Sequence, residues 1–543
     1  MRGHAAERNR AIVLALALGA GALGVSAVLL ALSGAARNRA LFPRPHSARR
    51  LTAEEGAPAL APLRLAVGRH LPILTANIAG EAPGIAVPRS FFGLSTEYWG
   101  LPRYERRMRV FERILSAIHV RGDGPLILRV GGDSADHSYW EPIERAMPIR
   151  AFELTPSWLQ RTRSLVRGTG LRLILDLNLV ANSTAMAEQW ARAATAALPR
   201  GTIVGFEVGN EPDLYHRELW YRLVTLARVD VERAIALPRF SASTYVRGFS
   251  AYARALAGVA PGVPLLGPAV ANPSVAVSWV ASLLAREHRA VGMVTAHRYP
   301  LSQCAFPGSP RVPTIPRVLS ERASAGMART VRAAVVLAHR AGLKFRLTEL
   351  NSVTCGGTPG VSDTFATALW APDALFELLR NRVDGVNIHV RDDSFNAPFP
   401  LTSGGVQVRP LLYGMILFAR TLGPHARLLP AHVHGRRSVH LKVWAVRVAG
   451  HTLRVLVINK GTRAANVDLR LSASGPATVE RLLAPSASAR SGVTLAGQSL
   501  NGNAEWQHPL ALETLRHSAR GYRVTMPGAS AALVSVPLLA RRQ

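Results

Sequence analysis

The chain has 543 residues, of which 48% are hydrophobic and 18% are charged. This composition excludes a disordered or fibrous protein, and the length allows more than one core, since single cores seldom exceed about 250–300 residues. The formal net charge is +31, and only three of the 65 basic residues are lysines. Such a charge would attract an acidic polysaccharide or an anionic membrane, but GC-rich codons also produce arginine-rich sequences, and both explanations stay open. The arginines are scattered and no zinc-finger or RNA-binding spacing occurs, so we predict no nucleic-acid partner.

The N-terminus carries Arg2, Arg8 and Arg10, then an uncharged apolar run over residues 11–32, then four small residues. A basic, then apolar, then small-residue order is typical of a secretory signal, and this run is also long enough to span a bilayer. We predict that residues 1–36 are a signal peptide or a membrane anchor. Either one implies an exported protein, secreted or membrane-anchored, with its folded part outside the cytoplasm. Residues 37–62 are rich in Arg, Pro and Ala and are predicted to be a linker.

From residue 90 onward, short apolar runs alternate with amphipathic stretches. Eight of the runs are predicted to be strands, at residues 91–98, 126–132, 172–179, 203–210, 264–270, 293–299, 345–351 and 383–390. Helical periodicity is clearest between them at 185–197 and 327–341. Eight strands separated by helices predict an α/β fold, a (β/α)8 TIM barrel spanning residues 90–425.

After residue 425 the pattern changes to short, alternating, β-branched runs separated by Gly, Asn and Ser turns. These runs occupy residues 439–448, 452–459, 465–471, 477–483 and 522–526. They predict an accessory antiparallel β-sandwich domain over residues 426–543. Residues 63–79 also have the pattern of a strand, so we expect the segment 63–89 to contribute to this sandwich.

Two glutamates stand at the ends of predicted strands. Glu211, in the sequence Gly-Asn-Glu-Pro, follows the fourth strand, and Glu349, in Leu-Thr-Glu-Leu-Asn, ends the seventh. In a barrel the C-terminal ends of the strands form one mouth, where catalytic groups lie. Two facing carboxyl groups are what glycoside hydrolysis needs, since one must give a proton to the leaving oxygen while the other attacks the anomeric carbon.

Each glutamate has an ordinary explanation when taken alone. Asn-Glu-Pro is also a turn in which Asn adopts left-handed backbone and Pro ends the strand, and a Glu after a strand is usually a solvated rim residue. The argument for catalysis is therefore positional. It depends on both residues falling at the fourth and seventh of eight predicted strands.

Several segments, taken with these glutamates, resemble glycoside hydrolase family 79 of clan A. They are residues 92–97 (FGLSTE), 128–134 (LRVGGDS), 210–211 (NE) and 297–300 (HRYP), and the late Tyr413-Gly414 with Phe418. The family contains β-glucuronidases and heparanase-like enzymes, and the resemblance covers roughly residues 63–540. It implies a retaining enzyme that acts on a β-linked uronic acid. Glycoside hydrolysis by two carboxyl groups requires no metal, and the histidines show no metal-ligand spacing, so we predict no metal and no cofactor.

The resemblance also implies individual roles. Glu211 would be the acid/base and Glu349 the nucleophile. Asn210 would hydrogen-bond the sugar 2-hydroxyl, and Tyr299 would donate to the nucleophile or the sugar. Arg129 would keep Glu349 ionised, although a purely structural ion pair is the alternative.

Five further side chains are predicted to line the substrate pocket without assigned roles. They are Glu97, Tyr98, Asp133, His297 and His389. For the two histidines, a supporting position behind the catalytic groups is as well justified as direct contact with substrate. No residue is singled out for a uronate carboxylate, and no oligomeric state is predicted.

The two cysteines, Cys304 and Cys355, follow the sixth and seventh predicted strands. Adjacent loops lie side by side at the mouth of a barrel, so we predict a disulfide between them. Two unpaired thiols are the alternative.

Three other functions remain to be weighed at this point. The first keeps the clan and changes the sugar, giving a β-xylosidase, a β-glucosidase or an arabinofuranosidase. The second is a non-catalytic envelope protein that binds polysaccharide on an inactive barrel. The third is a surface protein that uses its positive charge to hold anionic lipid or polymer.

Overall fold

The computed structural model describes residues 71–140, 152–215, 240–435, 440–449, 452–473 and 475–538. The predicted signal or anchor at 1–36 and the linker at 37–62 lie outside these residues. Among the residues described, none of the helices combines the length and the apolar character needed to cross a membrane.

Eight parallel strands close into a barrel in which each strand lies beside the next in sequence, and the last pairs with the first. The strands are β1 (Phe92–Glu97), β2 (Ile127–Gly131), β3 (Arg172–Leu177), β4 (Ile203–Val208), β5 (Leu265–Val270), β6 (Val291–Arg298), β7 (Lys344–Leu350) and β8 (Gly385–His389). The predicted TIM barrel is therefore confirmed, and every predicted barrel strand is found, with ends that differ by at most two residues.

Helices surround the barrel and bury their apolar faces on the strands. They are Leu101–Arg106, Met108–Ile118, Pro156–Thr169, Thr184–Ala197, Ala242–Ala257, Pro273–Glu287, Ile315–Val318, Met327–Arg340, Phe365–Arg380 and Pro410–Thr421. Local sequence fixes several of their starts. The side chains of Thr155, Ser183 and Asn272 each accept a hydrogen bond from a backbone N–H in the first turn, which satisfies a donor that the helix leaves unpaired.

The C-terminal part is a β-sandwich, as predicted, with a core of its own between two sheets. One sheet has four strands, in the order Ala431–His434, Ile73–Ile78, Ala465–Arg470, Tyr522–Met526. The other has the order Ile85–Ala86, Arg427–Leu429, Leu441–Val448, Thr452–Asn459, Ser530–Pro537, Ala477–Leu483, Thr494–Leu495. In this second sheet Glu513–Leu515 also pairs with Ala477–Leu483. The pairs are antiparallel except that Ile73–Ile78 runs parallel to Ala465–Arg470. Strands before the barrel thus complete both sheets of the sandwich.

Barrel and sandwich belong to one compact unit and share a buried interface. The Trp444 ring, on a sandwich strand, stacks on Phe376 at 5.4 Å between centroids, and its indole N–H donates to Asp373 at 3.1 Å. Lys460 pairs with the other oxygen of Asp373 at 2.6 Å, and both side chains are fully buried. The paired charges fix how the sandwich sits on the helix Phe365–Arg380 and so steady the barrel wall beyond β7.

Candidate active site

Arg129, on β2, is the centre of the cluster at the barrel mouth. Its guanidinium is fully buried and contacts four side chains from three other strands and the turn after β4. It donates to Glu207 at 2.8 Å, to Glu349 at 2.6 Å and to the side-chain oxygen of Asn210 at 2.9 Å, and it lies 2.5 Å from Asp176. One planar cation therefore fixes the positions of side chains from β3, β4 and β7.

The charges around Arg129 do not balance, because one guanidinium faces three buried carboxyl groups. Burial, together with repulsion from Glu207, raises the pKa of Asp176 well above its ordinary value. Burial acts on Glu207 as well, but the attraction of Arg129 outweighs it and lowers the pKa of that carboxyl. The site therefore favours a proton on Asp176 more than on Glu207 or Glu349, whose pKa values are lowered.

Glu349 has both carboxylate oxygens held. Arg129 donates to one oxygen, and the buried Tyr299 hydroxyl donates to the other at 2.8 Å. Burial on its own would raise the pKa of Glu349. The neighbouring basic side chains, His389, His297 and Arg129, outweigh burial, so the pKa lies well below its ordinary value. An anion fixed in this way is suited to attack as a nucleophile.

Glu211 reaches the mouth through an unusual turn. Its backbone is left-handed, with φ 50° and ψ 48°, and Gly209 before it also has a positive φ of 76°. Asn210, between them, does not have a positive φ. An ordinary Asn turn would place the left-handed backbone at Asn210, so this turn is of a different kind. The Glu211 N–H donates to the carbonyl of Ala269 at 3.1 Å, which holds the strained residue against β5.

His297 lies between the two predicted catalytic carboxyl groups. Its Nδ1 is 3.1 Å from an oxygen of Glu211 and 3.8 Å from an oxygen of Glu349. Oxygens of the two glutamates lie within 4.8 Å of each other. Retaining glycosidases hold their carboxyl groups about 5–5.5 Å apart, and inverting enzymes leave a wider gap for a water. The separation observed here matches the retaining arrangement.

A second layer of the mouth is built around His389, at the end of β8. Its Nδ1 is 3.6 Å from Glu349 and 3.2 Å from the Ser95 hydroxyl, and its Nε2 is 3.6 Å from Glu97. Burial would lower the pKa of His389, but the charge of Glu349 raises it above its ordinary value. The imidazole therefore acts as a second cation that supports the anionic state of Glu349.

Glu97 and Asp133 face the same space from β1 and from the turn after β2. Arg391 approaches both, at 3.9 Å from Glu97 and 3.2 Å from Asp133. Close packing in this turn requires glycine, since a Cβ on Gly132 would lie 2.6 Å from a Glu97 oxygen, and the residue has φ +69°. The Gly-Gly-Asp segment thus lets two acidic side chains line the pocket at close range.

Tyr98 does not belong to this pocket, and its prediction as a substrate contact is wrong. The chain enters a 3-10 turn directly after β1, which directs the Tyr98 side chain outward between the barrel and its helices. There it packs on Trp158 and Trp190, only 1% exposed, and its hydroxyl donates to the backbone carbonyl of Asp176. Its role in the structure is to hold the ends of β1 and β3 together.

The predicted disulfide between Cys304 and Cys355 is present, with 6.0 Å between the Cα atoms. Beside it, Leu301–Ser302 and Val353–Thr354 pair in parallel, which extends the contact between β6 and β7 past the barrel. The loop after Tyr299 and the loop after Glu349 are thereby joined covalently and by backbone hydrogen bonds.

One group of side chains in the mouth has the spacing of a metal site. A ligand atom from each of Glu211, His297 and Glu349 could meet at one ion. In the structure Glu211 is hydrogen-bonded to His297 and Glu349 accepts from Tyr299, and two carboxyl groups suffice for glycoside hydrolysis. The arrangement therefore explains itself as an acid–nucleophile pair with a histidine between them.

Sequence reasoning missed three charged residues of the site, namely Asp176, Glu207 and Arg391. The first two were readable in principle. Each is the lone acid within an otherwise apolar strand, and a charge inside a barrel must be paired. Arg391 follows β8 in an ordinary-looking Arg-Asp-Asp sequence, where nothing distinguishes it from a surface residue.

Comparisons with known proteins agree with this geometry. Residues 443–533 match the Glycosyl hydrolase family 79 C-terminal beta domain. A β-glucuronidase of Aspergillus niger is 24% identical over 554 aligned positions, which cover 90% of this chain and 94% of the relative.

Solved structures share the fold at low identity. A 4-O-α-L-rhamnosyl-β-D-glucuronidase from Fusarium oxysporum 12S superposes with a TM-score of 0.69 at 16% identity, covering 85% of this chain and all of the other. A family 51 arabinofuranosidase from Xanthomonas axonopodis pv. citri gives 0.60 at 14%, with coverage of 86% and 100%. At these identities the structural likeness concerns the fold alone. The matching C-terminal domain, the full-length relative and the paired glutamates at the barrel mouth all agree with the resemblance to glycoside hydrolase family 79.

Proposed function

We propose that the protein is an exported, retaining β-glucuronidase that acts on glucuronic-acid-containing glycans or glycoconjugates. The observation that carries the proposal is the carboxyl pair. Glu349 is held ionised by Arg129, Tyr299 and His389, while Glu211 stands within 4.8 Å and has its carboxyl group beside His297. The two groups have different surroundings, as two carboxyl groups with different tasks require.

The geometry supports a double displacement. Glu211, with the more exposed side chain of the two, gives its proton to the glycosidic oxygen as Glu349 attacks the anomeric carbon. The leaving group departs, and a glycosyl ester forms on Glu349. Glu211 then takes a proton from a water that attacks the same carbon, and the sugar is released with its configuration retained. The side-chain oxygen of Asn210 accepts a hydrogen bond from Arg129, so the amide NH2 group is the part of this side chain that would donate to the sugar.

The choice of glucuronic acid is supported by the names of the relatives. The Aspergillus niger relative is a β-glucuronidase, and the Fusarium oxysporum structure is a rhamnosyl-glucuronidase. Arabinofuranosidases share the fold at a lower TM-score. A neutral sugar is therefore the outcome that the assay must be able to detect.

The test is hydrolysis of an aryl β-glucuronide beside aryl β-glucoside, β-xyloside and α-arabinofuranoside, with wild type, Glu211→Ala and Glu349→Ala. We expect turnover of the glucuronide and a loss of at least about 10³-fold in each variant. Azide should rescue Glu349→Ala to give the α-glycosyl azide and Glu211→Ala to give the β-azide, as NMR would report. Activity on a neutral sugar alone, or full activity in both variants, would reject the proposal.

Export is supported by the N-terminal sequence pattern and by the disulfide, since disulfides persist in oxidising compartments. Fractionation of cells that produce the full chain should place β-glucuronidase activity in the medium or at the outer surface of the membrane. Activity confined to the cytoplasm would contradict this part of the proposal.

A further inference from the structure

A groove of about 860 Å³ lies where the sandwich meets the flank of the barrel. Its walls come from the second half of the helix Met108–Ile118, the end of the helix Pro410–Thr421 and the sandwich loop that carries Trp506. Barrel helices run opposite to the strands, so their C-terminal ends lie toward the face opposite the catalytic mouth. The groove is therefore separate from the site of Glu211 and Glu349.

Basic side chains dominate this groove. Arg113 pairs with Glu505 at 2.9 Å and Arg420 with Glu480 at 2.5 Å. Within the described part of the chain, Arg121 and Arg454 have no carboxylate within 4.0 Å. Arg454 donates to the last carbonyls of the helix Pro410–Thr421, and burial lowers its pKa. In one concave surface, two guanidinium groups thus lie outside salt-bridge distance of the described carboxylates, although the charge of Glu480 acts on Arg454 at longer range. An additional anion there would be bound favourably.

Trp506 supplies a flat apolar surface among these cations. Its ring is partly exposed, with the Arg420 guanidinium 5.0 Å from the ring centroid on one side and the Tyr413 ring edge-on at 6.3 Å. Leu510 and Leu512 line the same groove and are 53% and 49% exposed, which is unusual for leucine in this protein. The indole is fixed in place by its neighbours, while the apolar surface beside it stays accessible to a ligand.

We propose that this groove is a second saccharide-binding site, which holds a segment of an acidic, uronate-bearing glycan away from the bond that is cut. An apolar sugar face would lie on Trp506, and uronate carboxylates would pair with Arg121 and Arg454. The class of glycan rests on the proposed β-glucuronidase function. The volume of the groove, about 860 Å³, is within the range of about 300–1,000 Å³ typical of small-molecule sites. Holding a polymer here raises its effective concentration at the catalytic mouth.

The test measures binding without turnover, in full-length protein carrying Glu349→Ala. A hexamer of β-1,4-linked glucuronic acid is titrated by calorimetry, with cellohexaose as the neutral partner of the same backbone. We expect the Glu349→Ala protein to bind two hexamers per chain. Addition of Trp506→Ala or Arg121→Ala should either reduce this number to one or weaken the affinity of the second site about tenfold. Trp506→Phe should retain most of the binding, and Arg470→Ala, an exposed arginine on the other sheet, should change nothing.

Kinetics of the otherwise wild-type protein give an independent readout. Trp506→Ala should raise KM for a glucuronan polymer about tenfold and leave kcat, and all constants for a small aryl β-glucuronide, unchanged. Equal binding of cellohexaose, or titrations unaffected by both Trp506→Ala and Arg121→Ala, including a single hexamer per chain that both variants retain, would overturn the second site. If the groove binds the acidic hexamer but wild type does not hydrolyse the aryl glucuronide, only the proposed catalytic function fails.

Discussion

Two arginines are buried at opposite ends of the barrel, and their surroundings differ. Arg129, at the mouth, contacts three carboxyl groups, and their attraction outweighs burial and raises its pKa. Arg346, at the start of β7, is 3% exposed and donates to the Asn387 amide oxygen and to the backbone carbonyls of Ser90 and Phe91. Burial lowers the pKa of Arg346, and no carboxylate of the described residues pairs with it.

The difference shows that buried charges serve different purposes at the two ends of the barrel. At the C-terminal ends of the strands, excess acid is gathered around one cation, which leaves carboxyl groups with separate protonation states. At the N-terminal ends, a single cation is satisfied by neutral oxygens and fills space between strands. A Cβ on Gly385 would lie 2.0 Å from the Arg346 guanidinium, so glycine makes room for it. We therefore expect the first arginine to matter for chemistry and the second for stability.

The largest effect is expected for Arg129→Met. Among the described residues, Arg129 is the cation that contacts Asp176, Glu207 and Glu349 together, so one or more of these carboxyl groups must take up protons when it is removed. We expect kcat/KM for an aryl β-glucuronide to fall by at least about 10³-fold and the free energy of unfolding by about 3–5 kcal/mol. Steady-state kinetics measures kcat/KM, and chemical denaturation measures the free energy of unfolding. Retention of more than a tenth of the activity would show that Arg129 is only a structural ion pair.

A smaller loss is expected for Tyr299→Phe. The variant keeps the ring and removes the hydroxyl that donates to Glu349 at 2.8 Å. Burial and the charge of Glu349 raise the pKa of Tyr299, so wild type keeps this donor throughout the working pH range. We expect kcat to fall about 10–100-fold with a stability change below about 1.5 kcal/mol. An unchanged kcat would mean that the hydrogen bond contributes equally before and during the reaction.

His389→Gln should act on the pH profile. In wild type the pKa of Glu349 is lowered, so the nucleophile stays ionised below the ordinary pKa of a glutamate. The support from His389 is present in full below its ordinary pKa of 6.5 and is lost as pH rises through its raised folded value. Without that charge Glu349 takes up its proton at a higher pH, so the acidic limb of kcat/KM moves upward. At pH 4 we expect activity about tenfold below wild type relative to the plateau. Coincident acidic limbs would exclude this role.

The two ends of the barrel also differ in how far the sequence predicts them. Strand order and the catalytic ends of β4 and β7 follow from apolar runs and polar endings, because both are local features repeated eight times. Within β4 the alternation even places Glu207 inward, since Phe206 and Val208 pack outward on the helices. The direction of Tyr98 was not predictable, because it depends on a 3-10 turn that begins at Tyr98 itself, within the predicted strand 91–98.

Contacts between side chains from different barrel strands could not be predicted from the sequence either. That Arg129 would meet Asp176, Glu207 and Glu349 at once depends on strand stagger, which no single run of residues encodes. The sandwich shows the same limit. Ser530–Pro537 lies in the middle of its sheet between two predicted strands, yet it was not predicted, because its β-branched residues are confined to its second half.

Arg346→Met is the matched counterpart of Arg129→Met and should give the smallest kinetic effect. Methionine replaces the aliphatic stem and leaves the Asn387 oxygen and the Ser90 carbonyl without this donor, which costs about 1–3 kcal/mol per buried group left unpaired. The Phe91 carbonyl still accepts from the Val386 N–H. Removal of a buried cation without a carboxylate partner offsets part of that cost. We expect the free energy of unfolding to fall by about 1–3 kcal/mol while kcat/KM stays within twofold of wild type, measured at a temperature where both proteins are folded. If Arg346→Met instead lowers kcat as strongly as Arg129→Met, the two ends of the barrel are coupled, and the division between a catalytic and a structural arginine is wrong.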